Sequence, residues 1–188
     1  MKTKLLPVLF LLFSLSAFSQ SFDGVAIDGE LSVAISKYKG KGYELISKEK
    51  EIAILKGTAA GKKINLFIFT TPKSKIIFKA VIYLPVHEDW ESLKDDYEKY
   101  KEILINKYGK PTNIYENFKE PYKEGDGDEM IAVTNKKCEF VAYWLDDTNN
   151  TNIAVEISDT KQIQITYENV KNQRIRDKEK LEIEKTVF

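Results

Sequence analysis

A single amphipathic helix divides the chain into two strand-rich halves. Apolar and aromatic side chains recur at helical spacing within Trp90–Pro111, and most of the remaining positions are charged or polar. The stripe consists of Trp90, Leu93, Tyr97, Tyr100, Leu104 and Tyr108. Gly109 and Pro111 end the segment, because glycine accepts a left-handed cap and proline cannot continue a helix. We therefore expect a scaffold helix whose aromatic stripe packs into a core rather than against a ligand.

A shorter helix and four strands are predicted before this segment. Leu31, Ala34, Ile35 and Tyr38 follow helical spacing, and Gly40–Gly42 ends the pattern. The predicted strands are Tyr43–Ser47, Ile52–Thr58, Lys63–Thr71 and Ile76–Leu84. Because the turns between them are short and polar, the strands are expected to form an antiparallel meander.

The second half repeats a helix followed by strands. The strands predicted here are Thr112–Phe118, Glu129–Thr134, Lys137–Leu145, Asn152–Ser158 and Gln162–Tyr167. Lys119–Asp128 is a polar loop, and Asp146–Thr151 has the composition of a hairpin tip. Glu168–Phe188 is highly charged with few apolar residues, so it either forms a solvated helix or frays.

The predicted fold class is α+β, with two helix-plus-four-strand antiparallel meander units whose helices pack on one face of the sheet or sheets. Residues 20–85 form the first α-β4 unit, residues 86–168 the second α-β unit, and residues 169–188 a charged C-terminal tail. Ser36–Ile46 aligns loosely with Asn106–Tyr115, since each closes a helix with glycine and enters a meander. Duplication and coincidence both account for an alignment of this kind.

Residues 1–19 have the pattern of a secretory signal peptide. Met1–Lys4 is basic, Leu5–Phe18 is largely apolar, and Ala17–Ser19 provides a small-x-small cleavage signal. The apolar run is short for a bilayer span, and no cysteine lies near the cleavage site to carry a lipid. We expect a periplasmic or secreted protein with no stable membrane anchor after cleavage.

The charge balance bears on the possible partners, and the cysteine content bears on disulfide bonding. Lysine and arginine together number 29, as do aspartate and glutamate, so no global field favours nucleic acid. The single cysteine, Cys138, cannot form an internal disulfide. Its position in a predicted strand indicates a buried structural thiol.

The sequence offers few residues for catalysis or metal binding. His87 is the sole histidine, and no G-x-S-x-G nucleophile motif is present. A small hydrolase would need His87 to meet the acidic loop Glu124–Glu129 in one pocket. Asp126, Asp128 and Glu129 are a weak calcium candidate, because they lack the spacing of an EF-hand loop. We expect no enzyme and no cofactor, with a small-ligand or calcium-binding protein as the alternative.

Alternation within the strands predicts a second, aromatic face of the sheet. One set is expected to lie under the helices, namely Ile64, Leu66, Ile68, Ile76, Phe78, Ala80, Ile82 and Leu84. The candidate binding residues lie on the opposite face, namely Phe67, Phe69, Val81, Tyr83, Val141 and Tyr143. A face rich in aromatic residues is typical of a protein-binding surface, although it could instead be buried between the two halves.

Three motifs carry a resemblance to a known group of proteins. F-D-G-V-A-I-D-G near the mature start, the helix ending K-G-K-G-Y and the helix ending N-K-Y-G-K-P-T resemble uncharacterised secreted proteins of Bacteroidetes bacteria. In architecture, tandem α-β4 units are similar to β-lactamase-inhibitor-like proteins and to small outer-membrane assembly lipoproteins, although this chain lacks the lipidated cysteine of the latter. Those proteins act by protein–protein contact, so the resemblance implies a non-enzymatic interaction module with an unknown protein partner.

Overall fold

The computed structural model describes residues 20–146 and 150–187. The predicted signal peptide lies outside these residues, as does part of the predicted hairpin tip. The first half contains β1 (Ser21–Phe22), β2 (Val25–Ala26), α1 (Leu31–Gly40), β3 (Glu44–Lys48), β4 (Ile52–Ala59), β5 (Lys62–Thr70) and β6 (Ile77–Val86). The second half contains α2 (Trp90–Tyr108), β7 (Asn113–Phe118), α3 (Glu129–Thr134), β8 (Cys138–Asp146), β9 (Thr151–Ile157), β10 (Gln162–Asn169) and α4 (Val170–Val187).

One antiparallel sheet of eight strands contains both meanders. The strand order is β3-β4-β5-β6-β10-β9-β8-β7, so the last strands of the two meanders pair with each other. At this junction Val81 lies opposite Thr166 and Tyr83 opposite Gln164. The α+β prediction, with an antiparallel sheet and helices packed against it, is confirmed. The two meanders lie side by side in one sheet and not face to face.

The core lies between the sheet and helices α1 and α2. The four predicted stripe residues of α1 are buried, and Leu93 and Tyr97 of α2 are fully buried against the inner sides of β9 and β10. Helix α2 begins at Asp89, whose carboxylate accepts a 2.8 Å hydrogen bond from the Ser92 amide. It ends at Gly109, where φ is +81° and glycine is therefore favoured. The predicted scaffold helix is confirmed.

The predicted strand Glu129–Thr134 is wrong, because this segment forms helix α3. Strand β8 already pairs with β7 on one side and β9 on the other, so no edge is left beside it for another strand. Ala132 and Val133 are buried while Ile131 is half exposed, which lets a short helix cover the end of the core. Six residues with a mixed apolar run do not distinguish a helix from a strand by their pattern alone.

The start of β6 also differs from the sequence prediction. The pairing of β5 with β6 shifts register between Phe69 and Thr70, and this irregularity changes which side chains share a face. Ile77 consequently belongs to the core cluster, whereas alternation predicts Ile76 and Phe78 at those positions. Phe78 packs beside Phe69 with ring centroids 6.4 Å apart. Beyond the bulge, Ala80, Ile82 and Leu84 face the core as predicted.

The charged C-terminal tail forms helix α4, which packs against the sheet and buries Val170, Asn172 and Glu179. Helix α4 contacts β6 and β10 and continues past the turn between β5 and β6. Arg176 lies over the Phe78 ring, 5.1 Å from its centroid. Within the described part of the chain, no helix combines the length and apolar character needed to cross a membrane.

Candidate functional site

Paired residues form three rows across the sheet on the face turned away from α1 and α2, which we call the open face. Antiparallel partners point to the same side of a sheet, so the pairings define each row. The first row is Asn65, Tyr83, Gln164, Glu156, Val141 and Tyr115. The second row is Phe67, Val81, Thr166, Ala154, Tyr143 and Asn113. The third row is Phe69, Lys79, Glu168, Asn152 and Leu145. All six residues proposed from the sequence therefore lie on one face.

Four of these six residues belong to the first meander and line a shallow hollow that the β9–β10 turn also borders. Phe67, Phe69, Val81 and Tyr83 line a space of about 460 Å³, which we call the aromatic depression. The rings of Phe67 and Tyr83 meet edge to face with centroids 5.4 Å apart. Val81 is buried beneath its neighbours, and the three aromatic side chains remain partly exposed. This arrangement can receive an apolar group of a partner.

The other two candidate residues belong to a separate cluster at the far side of the sheet, which we call the tyrosine patch. Tyr143 contacts Tyr115 with centroids 6.4 Å apart, and Val141 is buried between strands β7 and β9. Leu145 and Tyr115 are about half exposed, at 50% and 46%. The sequence prediction omitted Tyr115, because β7 is an edge strand whose partner was unknown.

Polar side chains separate the two aromatic clusters. Lys79, Glu156, Gln164, Thr166 and Glu168, which we call the polar centre, line a hollow of about 200 Å³ together with Tyr143. Lys79 pairs with Glu168 at 3.0 Å, and the Gln164 amide donates a hydrogen bond to Glu156. Sequence reasoning missed this centre. Gln162, Gln164 and Thr166 alternate with apolar residues in β10, but their place between the clusters depends on the pairing of β10 with β6.

Burial shifts the pKa values of three groups on the open face, Glu156, Tyr83 and Tyr143. Burial raises the pKa of Glu156, and the charge of Asp159 acts in the same direction, while the charge of Lys79 and the Gln164 hydrogen bond oppose the rise. Burial also raises the pKa of Tyr83 and of Tyr143, and the Glu156 charge adds to both shifts. The carboxylate is thus partly desolvated on a face that is otherwise open.

His87 lies outside the open face and pairs with an aspartate of α2. Its Nε2 atom is 3.0 Å from Oδ2 of Asp96, and Lys62 lies 3.8 Å from the same carboxylate oxygen. Across residues 20–146 and 150–187, no hydrogen bond or ion pair joins His87 to the acidic loop or to a nucleophile. The arrangement ties the start of α2 to the β4–β5 hairpin.

The acidic loop uses its carboxylates to hold its own backbone. Asp126 accepts hydrogen bonds from the amides of Lys123 at 2.8 Å and Asp128 at 2.9 Å. Glu129 accepts one from the Gly125 amide at 2.7 Å, and Glu124 pairs with Lys94. Among the residues that the structure describes, no group of three or more histidine, cysteine or acidic side chains is placed to hold a metal ion. The Asp126 and Glu129 carboxylates therefore shape the turn before α3.

Cys138 has the environment of an unreactive thiol. Burial and the nearby Glu124 charge raise its pKa to about 12, so the thiol stays protonated at neutral pH. Its side chain packs beside the core at the start of β8.

Together, these features define an α+β protein whose open face carries two aromatic clusters and a polar centre between them. Comparison with protein-family models, with characterised proteins and with solved structures finds no match to this chain. The open face is therefore the feature on which a proposed function rests.

Proposed function

We propose that this chain is an extracytoplasmic, non-enzymatic binding module that captures a protein partner on the open face. The observation that carries the proposal is that four strands place aromatic side chains on one face in two clusters, Phe67 and Phe69 in β5 with Tyr83 in β6, and Tyr143 in β8 with Tyr115 in β7. These side chains stay partly exposed even though the sheet beneath them is well packed.

The size and composition of the face are consistent with a protein partner. Six strands carry the first row, which spans about 24 Å at the usual strand spacing. That width suits a partner surface of about 800 Å², the usual share of each side in a stable complex. Tyrosine and phenylalanine offer a large contact area with few rotatable bonds, and they dominate the energetics of many interfaces.

We interpret the two meanders, each with the helix before it, as tandem α-β4 units. The predicted signal sequence would direct the chain out of the cytoplasm. Each meander follows a helix, and the last strand of one pairs with the last strand of the other. This interpretation agrees with the resemblance to secreted Bacteroidetes proteins and to β-lactamase-inhibitor-like architecture. A rigid sheet with helices on its other side would present the aromatic clusters in fixed positions.

Partner capture tests the proposal. The mature chain is immobilised and exposed to periplasmic extract or culture medium of the native host, and bound proteins are compared with those retained by Tyr83→Ala and Phe69→Ala. Each substitution is expected to weaken retention of the same partner about tenfold or more, as loss of an interface anchor does. Quantitative mass spectrometry measures the loss, and circular dichroism checks that the variants remain folded.

Ile103→Ala is the matched control, because Ile103 is 47% exposed on α2 and does not lie on the open face. It removes a comparable apolar side chain and should leave retention unchanged. Equal retention by the wild type and both folded aromatic variants would refute the proposal. A partner lost only with Ile103→Ala would place binding on the helical side and would refute it as well.

A further inference from the structure

Glu156 differs from the other charged groups of the polar centre. Glu168 has Lys79 at 3.0 Å, whereas no lysine, arginine or histidine among the described residues forms an ion pair with Glu156. The Gln164 amide provides its one side-chain hydrogen bond within the same part of the chain. A carboxylate has about four acceptor sites, so Glu156 can accept further hydrogen bonds from a ligand.

The hollow around Glu156 has an excess of negative charge. Its charged lining consists of two carboxylates, Glu156 and Glu168, and one ammonium, Lys79, which pairs with Glu168 and also attracts Glu156. Asp159 on the β9–β10 turn also repels a negative charge on Glu156, although Lys136 pairs with Asp159 at 3.2 Å. Partial burial makes this charge costly, and a bound cation would offset that cost.

Aromatic rings make the hollow suitable for a planar cation. Tyr143 lines the same space as Glu156, and Tyr83 lies opposite Gln164 on the other side. A guanidinium group can form two parallel hydrogen bonds to a carboxylate and also stack on a ring. A metal ion fits less well, because the described residues contain no cluster of metal-binding side chains there.

We propose that the polar centre receives the guanidinium group of a partner's arginine, which pairs with Glu156 beside Tyr143 while apolar groups of the same partner fill the aromatic depression. The inference rests on the proposed function and adds the chemistry of the partner's central residue. It gives Glu156 a positioning and specificity role that the sequence did not reveal.

A small-molecule titration tests the site without knowledge of the partner. The probes are N-acetylarginine amide and N-acetylcitrulline amide, which have nearly the same shape but differ in charge. Backbone amide shifts of the ¹⁵N-labelled mature chain should move around Glu156, Gln164 and Tyr143 with the arginine probe. Its apparent affinity should exceed that of the citrulline probe about tenfold, and E156Q should remove the difference. Equal effects of the two probes, or shifts confined to another acidic surface, would overturn the proposal.

One control variant and one stability measurement separate binding from folding. Glu102→Gln removes an exposed carboxylate from α2 and should leave the arginine response intact. E156Q should be at least as stable as the wild type at neutral pH. Because the folded-state pKa of Glu156 is raised, its ionisation disfavours folding as pH rises through that pKa, and glutamine removes this effect. A marked loss of stability in E156Q would assign Glu156 a structural role and overturn the proposal.

Tyr143→Leu should reduce the arginine response while keeping an apolar side chain.

The capture experiment then distinguishes this inference from the function on which it rests. Loss of the partner in both Tyr83→Ala and E156Q supports both proposals. Loss in Tyr83→Ala with full retention in E156Q overturns the arginine site and leaves the binding face in place. Retention by every open-face variant overturns both.

Discussion

Gly57 shows how one missing side chain determines local packing. It lies within β4, and an added Cβ there would stand 2.3 Å from Cδ1 of Tyr43. The Tyr43 ring cannot move aside easily, because it is buried against Tyr38 with centroids 5.1 Å apart. Its hydroxyl also donates a 3.2 Å hydrogen bond to Asp23. Glycine within a strand is therefore required here by the close approach of a ring.

Gly57→Ala should destabilise the fold by about 1–3 kcal/mol, the usual cost of overpacking a core. Urea denaturation monitored by circular dichroism measures the change. Gly40→Ala is the control, because nothing lies within 4 Å of its added Cβ and alanine is preferred to glycine in a helix. That variant should be neutral or slightly stabilising. If Gly57→Ala unfolds at the same urea concentration as the control, the close approach of Tyr43 does not exclude a side chain at position 57.

Helix α4 is attached mainly by polar contacts. The Glu179 carboxylate accepts hydrogen bonds from the Lys73 amide at 2.7 Å, the Ser74 amide at 3.2 Å and the Ser74 hydroxyl. Nearer the start of the helix, the Asn172 amide donates to the Ile77 carbonyl at 2.8 Å. Leu181, in contrast, is 50% exposed and contributes little. The last turns of α4 thus depend on Glu179 being ionised.

Glu179→Ala should release the C-terminal turns of α4 without unfolding the sheet. Burial opposes the ionisation of Glu179, but hydrogen bonds from Ser74 and Lys73 outweigh it and lower the pKa. A lowered folded-state pKa means that the stabilisation is present above the unfolded-state pKa and is lost as pH falls through the folded-state value. Hydrogen exchange of residues 173–187 should accelerate in the variant at neutral pH, while exchange in α2 stays unchanged.

The exchange difference between wild type and Glu179→Ala should shrink as pH falls through the Glu179 pKa. Glu182→Ala serves as the control, since its pair with Lys73 is exposed and should contribute little. Equal acceleration in the two variants, or exchange that spreads into β6, would contradict a local attachment through Glu179.

Elements with a strong local period could be predicted, and those that depend on distant pairing could not. Helix α2 and the strands β4 and β5 follow from spacing, because the sheet and core bury one side of each. The sequence does not distinguish helix α3 from a strand, because only the strand order shows that β8 already has a partner on each side. Likewise, no local sequence pattern indicates the bulge at Phe69 and Thr70, and this bulge takes Phe78 out of the core cluster.

The candidate site shows the same limit. Alternation within β5, β6 and β8 was sufficient to place all six candidate residues on one face. It predicted a continuous aromatic surface, because nothing local indicates that β10 and β9 stand between β6 and β8. That strand order inserts Gln164 and Glu156 between Tyr83 and Val141. The polar centre is thus a property of long-range topology.

The two halves share one hydrophobic core, so we expect them to unfold together. The core extends without interruption from Leu55 and Leu66 in the first meander to Val155 and Trp144 in the second. Strands β6 and β10, which join the meanders, are paired along most of their length. A continuous core and a shared sheet favour a single cooperative transition over two separate ones.

Leu66→Ala tests this cooperativity across the molecule. Leu66 is fully buried in β5, and its truncation should cost about 2–5 kcal/mol. Both tryptophans, Trp90 and Trp144, lie in the second half, so their fluorescence reports that half alone. If the sheet unfolds as one unit, the fluorescence midpoint should shift by the same amount as the circular-dichroism midpoint. A fluorescence transition unmoved by Leu66→Ala would mean that each meander folds by itself, because the cavity would then weaken only the half that contains it.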